Sequence, residues 1–473
     1  MSGAIAPALH SRYNPQGEAE KYLNALELGA ETEYFILIEP GLGYLIPPLK
    51  KKRPAAKIIA LHVDNAFQPA AREEAVVPAW FPGGPVSLQQ FLENEIPDLE
   101  ARQIRIIEWR PSLRVYGEAY LRLLSETAEF IKRIDANART VRGFGGRWVN
   151  NFFKNLRLLR FLLTPEPFDG PLVITGSGPS LETAIPLIGE LKNLRVLAAS
   201  SSVKALVQGG IIPGMVLSAD GGGWALCHLY ECFRCPNQAP PLAVNLSAAL
   251  PSQCSRLPIM TLDDGSLWQR TVLRGLGIPS LTVPQRGTVS ASALDLALAL
   301  CSGNIVIAGL DLSLRDIRTH VRPYGFDPIF WGKASRFTPL YAQMFSRAGG
   351  IRRGGSHRIY AAWFSRQAAS WPDRIFSLGN NSEAFHTLKP WVPGEGGQVK
   401  KGTFSGKKFG EPAPAPGGIN AGQGTEILIR ALAVPALAAP LTGELAPLLF
   451  PGRKTVQPEE LAEPLRSIGE HYG

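Results

Sequence analysis

The stretch from Pro171 to Leu191, PLVITGSGPSLETAIPLIGEL, decides the fold. A short apolar run enters Gly-Ser-Gly-Pro and an apolar-periodic segment opens at Leu181, so the reading is strand, tight turn, helix. Gly176 and Gly178 let backbone approach an anion, Ser180 is placed to cap the helix, and the amides of its first turn favour phosphate. With Ser177 and Pro179 they form the first candidate phosphate-binding motif. The third glycine of a dinucleotide fingerprint is replaced by Leu181, and no Lys-Ser/Thr follows as in a P-loop. A plain strand-to-helix turn with a serine cap is the structural alternative.

Outward from this motif, strand-like runs recur at Arg195 to Ser200, Met215 to Ser218, Leu242 to Leu246, Pro258 to Leu262 and Asn304 to Ala308. Helical patterns lie between several of them, including Val203 to Gln208 and Ser290 to Leu300. Alternating helices and continuously apolar strands predict an α/β, Rossmann-like central domain whose parallel sheet is covered on both faces. Ligands on such sheets bind beyond the carboxyl ends of the strands. Three more candidates fall there. Asp220 precedes Gly221-Gly222-Gly223, where a carboxylate can receive hydroxyl or amino groups or simply bond its own turn. Asp311, in Gly309-Leu310-Asp311-Leu312-Ser313, is followed by His320, a candidate acid/base pair. Arg286 precedes Thr288 and Ser290 at a helix start, where hydroxyls and amides face either an anion or an ordinary cap.

The same reading divides the chain into a smaller α/β, Rossmann-like N-terminal module (1–115), a helical connector (116–165), the central domain (166–345) and a basic extension (346–399). A Gly/Pro/Lys-rich solvated linker (400–424) and a partly helical, proline-broken tail (425–473) follow, so the C-terminal region is expected to be irregular. In the first module the strand runs Tyr34 to Ile38, Lys57 to Val63 and Gln103 to Glu108 surround Gly41-Leu42-Gly43, with Asp64 some way beyond. That imitates a dinucleotide fingerprint, but its third glycine is Ile46, and a folded accessory module is the expectation.

Composition bounds the function. The 473 residues are 45% hydrophobic and 19% charged, below the usual ~25% charged, which excludes a disordered polyelectrolyte. The net charge of +9 is concentrated between Arg347 and Glu411, so a general nucleic-acid binder is not expected. Five cysteines without framework spacing fit a reducing cytosol. Cys227, Cys232 and Cys235 cluster beside His228, but the second C-x-x-C pair of a zinc site is missing and no metal is expected. No signal peptide is visible, the apolar run Ile427 to Phe450 is interrupted by three prolines, and a cytoplasmic protein without a transmembrane segment is expected.

GSGPSL at 176–181, Asp220, the RGTVSASALDLALAL segment, GLDLS at 309–313 with Thr319-His320, and His10-Ser11-Arg12-Tyr13-Asn14-Pro15 resemble the motility accessory factor (Maf) proteins. Asn380-Asn381-Ser382-Glu383 resembles a late segment of that family. Their central domain is the 6-hydroxymethylpterin diphosphokinase MptE-like domain, similar to bacterial sialyltransferases. The resemblance implies transfer of a nonulosonic, sialic-acid-like sugar from a CMP-sugar donor to Ser or Thr hydroxyls of flagellin or another protein acceptor, with no firmly implied cofactor. It implies that the 176–181 turn holds the CMP phosphate and that Asp220 and Thr288 to Ser290 line the nucleotide or sugar pocket. His320 would be the general base oriented by Asp311, and Arg286 and Arg322 would meet the sugar carboxylate.

Two alternatives stand beside this. One is ATP pyrophosphoryl transfer to a hydroxymethylpterin, which needs Mg²⁺ on Asp220 or Asp311. The other is a non-catalytic flagellar assembly partner that holds an acidic protein through the basic 347–411 segment.

Overall fold

The computed structural model of the chain describes residues 9–67, 77–96, 103–234, 239–354, 356–379, 388–392, 409–453 and 455–473. Two compact units result, Met1–Gly143 and Phe144–Gly473. The cut falls within the region read as a helical connector, inside the helix Glu118–Leu156. Tyr120, Leu123, Phe130 and Ile134 of that helix enter a core of the smaller unit, and Val149, Phe152, Phe153 and Leu156 enter a core of the larger.

In the smaller unit, β1 (Tyr34–Ile38), β2 (Lys57–Leu61), β3 (Ala79–Trp80) and β4 (Ile104–Glu108) form a parallel sheet in the order β3-β2-β1-β4. Phe35 to Ile38 and Ile58 to Leu61 are buried on both faces, which is why these strands read as unbroken apolar runs. Chain order reverses between β1 and β4, so a crevice is expected at their carboxyl ends.

The larger unit contains β5 (Phe161–Leu163), β6 (Leu172–Thr175), β7 (Arg195–Ala199), β8 (Met215–Ser218), β9 (Leu242–Asn245), β10 (Ile259–Asp263) and β11 (Ser280–Thr282). It continues with β12 (Ile305–Ala308), β13 (Ile375–Ser377), β14 (Lys389–Pro390) and β15 (Pro412–Pro414). The order is β14-β13-β12-β6-β7-β8-β9-β10-β5-β15, with β11 also on β10. Every pairing is parallel except β15 with β5. Apolar residues of alternate parity along the strands feed two cores, one holding Val173, Val196 and Val216 and the other Leu172, Ile174, Leu197 and Leu217. The switch point lies between β6 and β12, from whose carboxyl ends the Gly176 and Gly309 turns emerge.

Two stretches fold differently from their reading, and the tail, read as partly helical, is more regular than its prolines suggest. The end of the helical connector is the strand β5, because a short apolar run does not distinguish strand from helix until a partner is known. The part of the solvated linker that is described supplies its antiparallel neighbour, Ala413 opposite Leu162. The proline-broken tail is helical over Ala421–Leu432, Pro435–Leu449 and Ala462–Tyr472. Leu428, Leu441, Leu445 and Leu465 are buried in the same core as Phe152 and Val272, so tertiary burial overrides the low helix propensity of Pro440 and Pro447. Glu444 accepts hydrogen bonds from the Leu267 and Trp268 amides at 2.9 Å and thereby caps the helix Leu267–Gly275. Among the described residues no helix is long and apolar enough to cross a membrane.

Candidate functional site

The turns after β6 and β12 interlock. The Gly178 amide donates to the Gly309 carbonyl at 2.7 Å, and the Ser180 amide donates to Asp311 Oδ2 at 2.9 Å. Gly309 has φ +66, and a Cβ there would lie 2.6 Å from the Gly176 carbonyl oxygen, so only glycine fits. A Cβ on Gly178 would meet Asp311 Oδ2 at 2.0 Å, so this glycine makes room for a protein carboxylate. The Ser180 hydroxyl does not cap the helix Leu181–Gly189. Asp311 takes that place, because a carboxylate reaching across from the neighbouring strand is the stronger acceptor for a helix-start amide. Burial pushes the Asp311 carboxyl above its ordinary range, opposed by the Ser180 hydrogen bond.

The segment beyond β12 is tied back onto this turn. The Val321 amide donates to the Ser177 carbonyl at 2.9 Å. Glu182 Oε1 accepts from Arg318 Nη1 at 2.8 Å and from the Arg322 amide at 3.1 Å. Buried Asp327 accepts from the Tyr324 amide at 2.8 Å and faces Arg322 Nη1 at 3.9 Å. These ties shape a pocket lined by Arg318, Thr319, His320, Arg322, Tyr324 and Asp327 and, from the chain that follows, by Phe330, Gln343, Met344 and Arg347. His320 Nδ1 is 2.6 Å from the Thr319 hydroxyl, and the imidazole stacks on the Tyr324 ring with centroids 4.1 Å apart. Three guanidinium groups share this lining with the Asp327 carboxylate; Arg318 is paired with Glu182 and Arg322 faces Asp327, so the pocket carries a net cationic surplus at Arg347.

Tyr324 and His228 extend the cluster. The Tyr324 hydroxyl lies 3.4 Å from His228 Nε2, and burial pushes the phenol up to about 12, with Arg347 beside it opposing the shift. The His228 ring stacks on Phe326, its Nδ1 is buried without a partner, and burial lowers its pKa to about 4 against the favourable charge of Asp220. It is therefore a neutral imidazole at pH 7.

Of the predicted residues, His320 and Arg322 line this pocket; Gly176 to Ser180 and Asp311 do not line it and are joined to its Val321 only through the Ser177 carbonyl. Asp220 is exposed at the end of β8 and accepts from the Gly222 amide at 2.8 Å, the turn alternative weighed for it. Arg286 pairs with Asp295 at 2.9 Å and stacks over Trp363; Thr288 is the N-cap of the helix Val289–Leu300, in which Ser290 stands second, and none of the three lines the pocket. Sequence reasoning missed Arg318, Tyr324, Arg347 and His228. The density of Arg, His and Tyr between 318 and 324 is the signal the sequence offers for them; His228 stands among its cysteine neighbours there and carries none. Cys232 and Cys254 are buried, which pushes both thiols up to about 12 and makes them inert core residues. Cys235, the 380–383 segment and most of the basic stretch beyond Gly379 lie outside the described residues.

The switch point of the smaller unit is filled instead. Glu39, fully buried with φ 44, accepts from the Val63 amide at 2.7 Å, lies 3.0 Å from His62 Nδ1 and accepts from the Gly41 amide at 3.3 Å. The Ser112 hydroxyl, following β4, donates to the Glu39 carbonyl at 2.7 Å. His10 Nε2 lies 3.1 Å from the Pro40 carbonyl, and its ring stacks on Trp109 with centroids 5.3 Å apart. A Cβ on Gly41 would meet His10 Nε2 at 2.7 Å, so the glycine admits a protein side chain. Asp64 bonds the Ala66 amide at 2.8 Å, a turn aspartate.

Comparison with known proteins adds three findings. Residues 147–316 match the family described as 6-hydroxymethylpterin diphosphokinase MptE-like, a span that includes both interlocked turns and ends before His320. An uncharacterized protein of Treponema pallidum (strain Nichols) is 30% identical over 285 residues, 59% of this chain; the match spans 60% of that relative's length. A solved MAf glycosyltransferase from Magnetospirillum magneticum AMB-1 aligns over 99% of this chain and 79% of its own, with a TM-score of 0.46 and 12% identity.

Proposed function

We propose that this chain, which carries an MptE-like domain over residues 147–316, is a glycosyltransferase that moves a nonulosonic sugar from a CMP-sugar to a Ser or Thr hydroxyl of a protein acceptor such as flagellin. The observation that carries the reading is the pocket tied to the turn after β6, whose lining Arg318, Arg322 and Arg347 share with His320. A CMP-nonulosonate bears a phosphate and a carboxylate, and both need cationic, hydrogen-bonding partners. The MptE-like match and the resemblance of the ordered motifs to motility accessory factors support the same class.

The reaction needs no redox change. The acceptor oxygen bonds to the anomeric carbon as the bond from that carbon to the CMP phosphate oxygen breaks, and CMP departs with the electron pair. Guanidinium groups stabilise the phosphate and the sugar carboxylate while the anomeric centre becomes oxocarbenium-like. His320 takes the acceptor proton; Thr319 at Nδ1 and the Tyr324 ring hold the imidazole in one orientation. Asp311 acts at one remove, as the cap that locks the two turns together. In a CMP-release assay with acceptor present, His320→Ala is expected to lower the rate by about 100-fold or more; an unchanged rate would remove His320 as base.

The description of the matched family favours a second reading, pyrophosphoryl transfer from ATP. Its magnesium would fall to Asp220 or Asp311. Asp311 fits poorly, because it is buried and committed to the Ser180 amide, and no step is drawn through the ion. Thermal shift with CMP against ATP plus Mg²⁺ separates the two, since the cognate ligand stabilises the folded state.

A further inference from the structure

The helices Asp327–Gly332 and Leu340–Gly354 form a hairpin whose inner side chains Phe330, Gln343, Met344 and Arg347 line the pocket. Outside the pocket the same hairpin leaves large aromatics in water: Trp331 is 55% exposed, Phe337 93%, Tyr341 66% and Phe345 59%. Trp224, 64% exposed, adjoins them, with Lys333 over its ring. Single exposed apolar residues need no explanation, but four on one hairpin, with Tyr341 stacked on Phe345 and a fifth under Lys333 of the same hairpin, mark an interaction surface. The tip is built to present them. The Thr338 amide donates to the Ser335 hydroxyl at 3.1 Å, and Gln343 Nε2 donates to the Thr338 carbonyl at 3.0 Å.

Charge selects the partner. From Pro328 to Pro372 the sequence contains seven Lys and Arg and no Asp or Glu, and Lys333 and Arg336 are exposed among the aromatics. A second copy would bring two cationic faces together, which opposes self-association through this patch. Aromatics and arginine interleaved with Ser335, Thr338 and Gln343 match the composition of protein interface anchors, whereas a membrane-seated helix needs a continuous apolar face.

We propose that this hairpin is the docking surface for an acidic polypeptide segment and delivers it to the pocket on its inner side. The docking stands by itself; that the docked segment is the sugar acceptor rests on the transferase reading above.

The test uses the full chain and a fluorescein-labelled 16-residue peptide in which Asp and Leu flank a central Ser-Thr, with a Lys-for-Asp version as control. Anisotropy is expected to show micromolar binding of the acidic peptide only, weakened at least tenfold between 50 and 500 mM NaCl. W331A/F337A and K333E/R336E are each expected to weaken it at least tenfold with an unchanged melting temperature and unchanged stabilisation by CMP. Equal binding of the two peptides, or indifference to both double variants, would overturn the proposal. Aromatic-dependent binding to vesicles of 30% phosphatidylglycerol in phosphatidylcholine without peptide discrimination would overturn it in favour of a membrane surface. A dimer lost in F337A would overturn it in favour of self-association. If the peptide arm succeeds while CMP fails to stabilise the wild type, docking stands and the transferase reading falls.

Discussion

Two sheets in this molecule each reverse strand order, β1 against β4 in one unit and β6 against β12 in the other; among the described residues the first reversal is filled by side chains, whereas the second is tied to an arginine-lined pocket. In the smaller unit the crevice holds the chain's own His10 and Trp109, and Glu39 satisfies donors from both sides of the reversal. In the larger, Asp311 links the two turns through the Ser180 amide, and the segment tied to them carries Arg318, His320 and Arg322, which line the pocket. A topological switch point is thus a place where a ligand is possible; which side chains return to it decides whether one is admitted.

The largest effect should come from breaking the filled crevice. Glu39→Ala removes a buried carboxylate that serves a histidine and two amides, and is expected to cost about 3–5 kcal/mol, seen as lost hydrogen-exchange protection in β1 and β2 with CMP affinity unchanged. Next, Gly309→Ala places a Cβ against backbone at positive φ; about 3 kcal/mol by denaturant titration is expected, with loss of CMP binding as the two turns part.

The third effect is a pH dependence. The folded-state pKa of His228 is lowered from 6.5 to about 4, so its contribution to stability is present above pH 6.5 and is lost as pH falls toward 4. The loss should be about 2–3 kcal/mol, and His228→Gln should flatten that part of the stability–pH curve. The smallest is Asp220→Ala, a surface change expected to cost under about 0.5 kcal/mol; a tenfold loss of CMP affinity beside that small cost would mark Asp220 as a ligand contact.

Much of the fold was legible. The strands at 34–38, 195–199, 215–218, 242–245 and 305–308 read as strands because parallel strands buried on both faces are apolar throughout. The strand Phe161–Leu163 and its partner Pro412–Pro414 were not, since an edge pairing made across some 250 residues leaves no local pattern. At the site, Gly176, Gly178, Gly309 and Asp311 could be found because tight turns demand glycine and a strand-end carboxylate is conspicuous. What the glycines were for could not be found: Gly178 accommodates Asp311, a contact that exists only once β6 and β12 lie side by side. Arg286 looked equivalent to Arg322 in sequence, and only the fold separates an arginine paired with Asp295 from one that lines the pocket.

The central claim is that one switch point is an anionic-ligand site and the other is closed. Calorimetric titration of the full chain with CMP tests it most directly, using Arg322→Ala and Glu39→Gln as paired variants. The expected result is one site per chain, weakened at least tenfold, about 1.4 kcal/mol, by Arg322→Ala and unaffected by Glu39→Gln. Absence of binding, or binding indifferent to Arg322→Ala and abolished by Glu39→Gln, would contradict it.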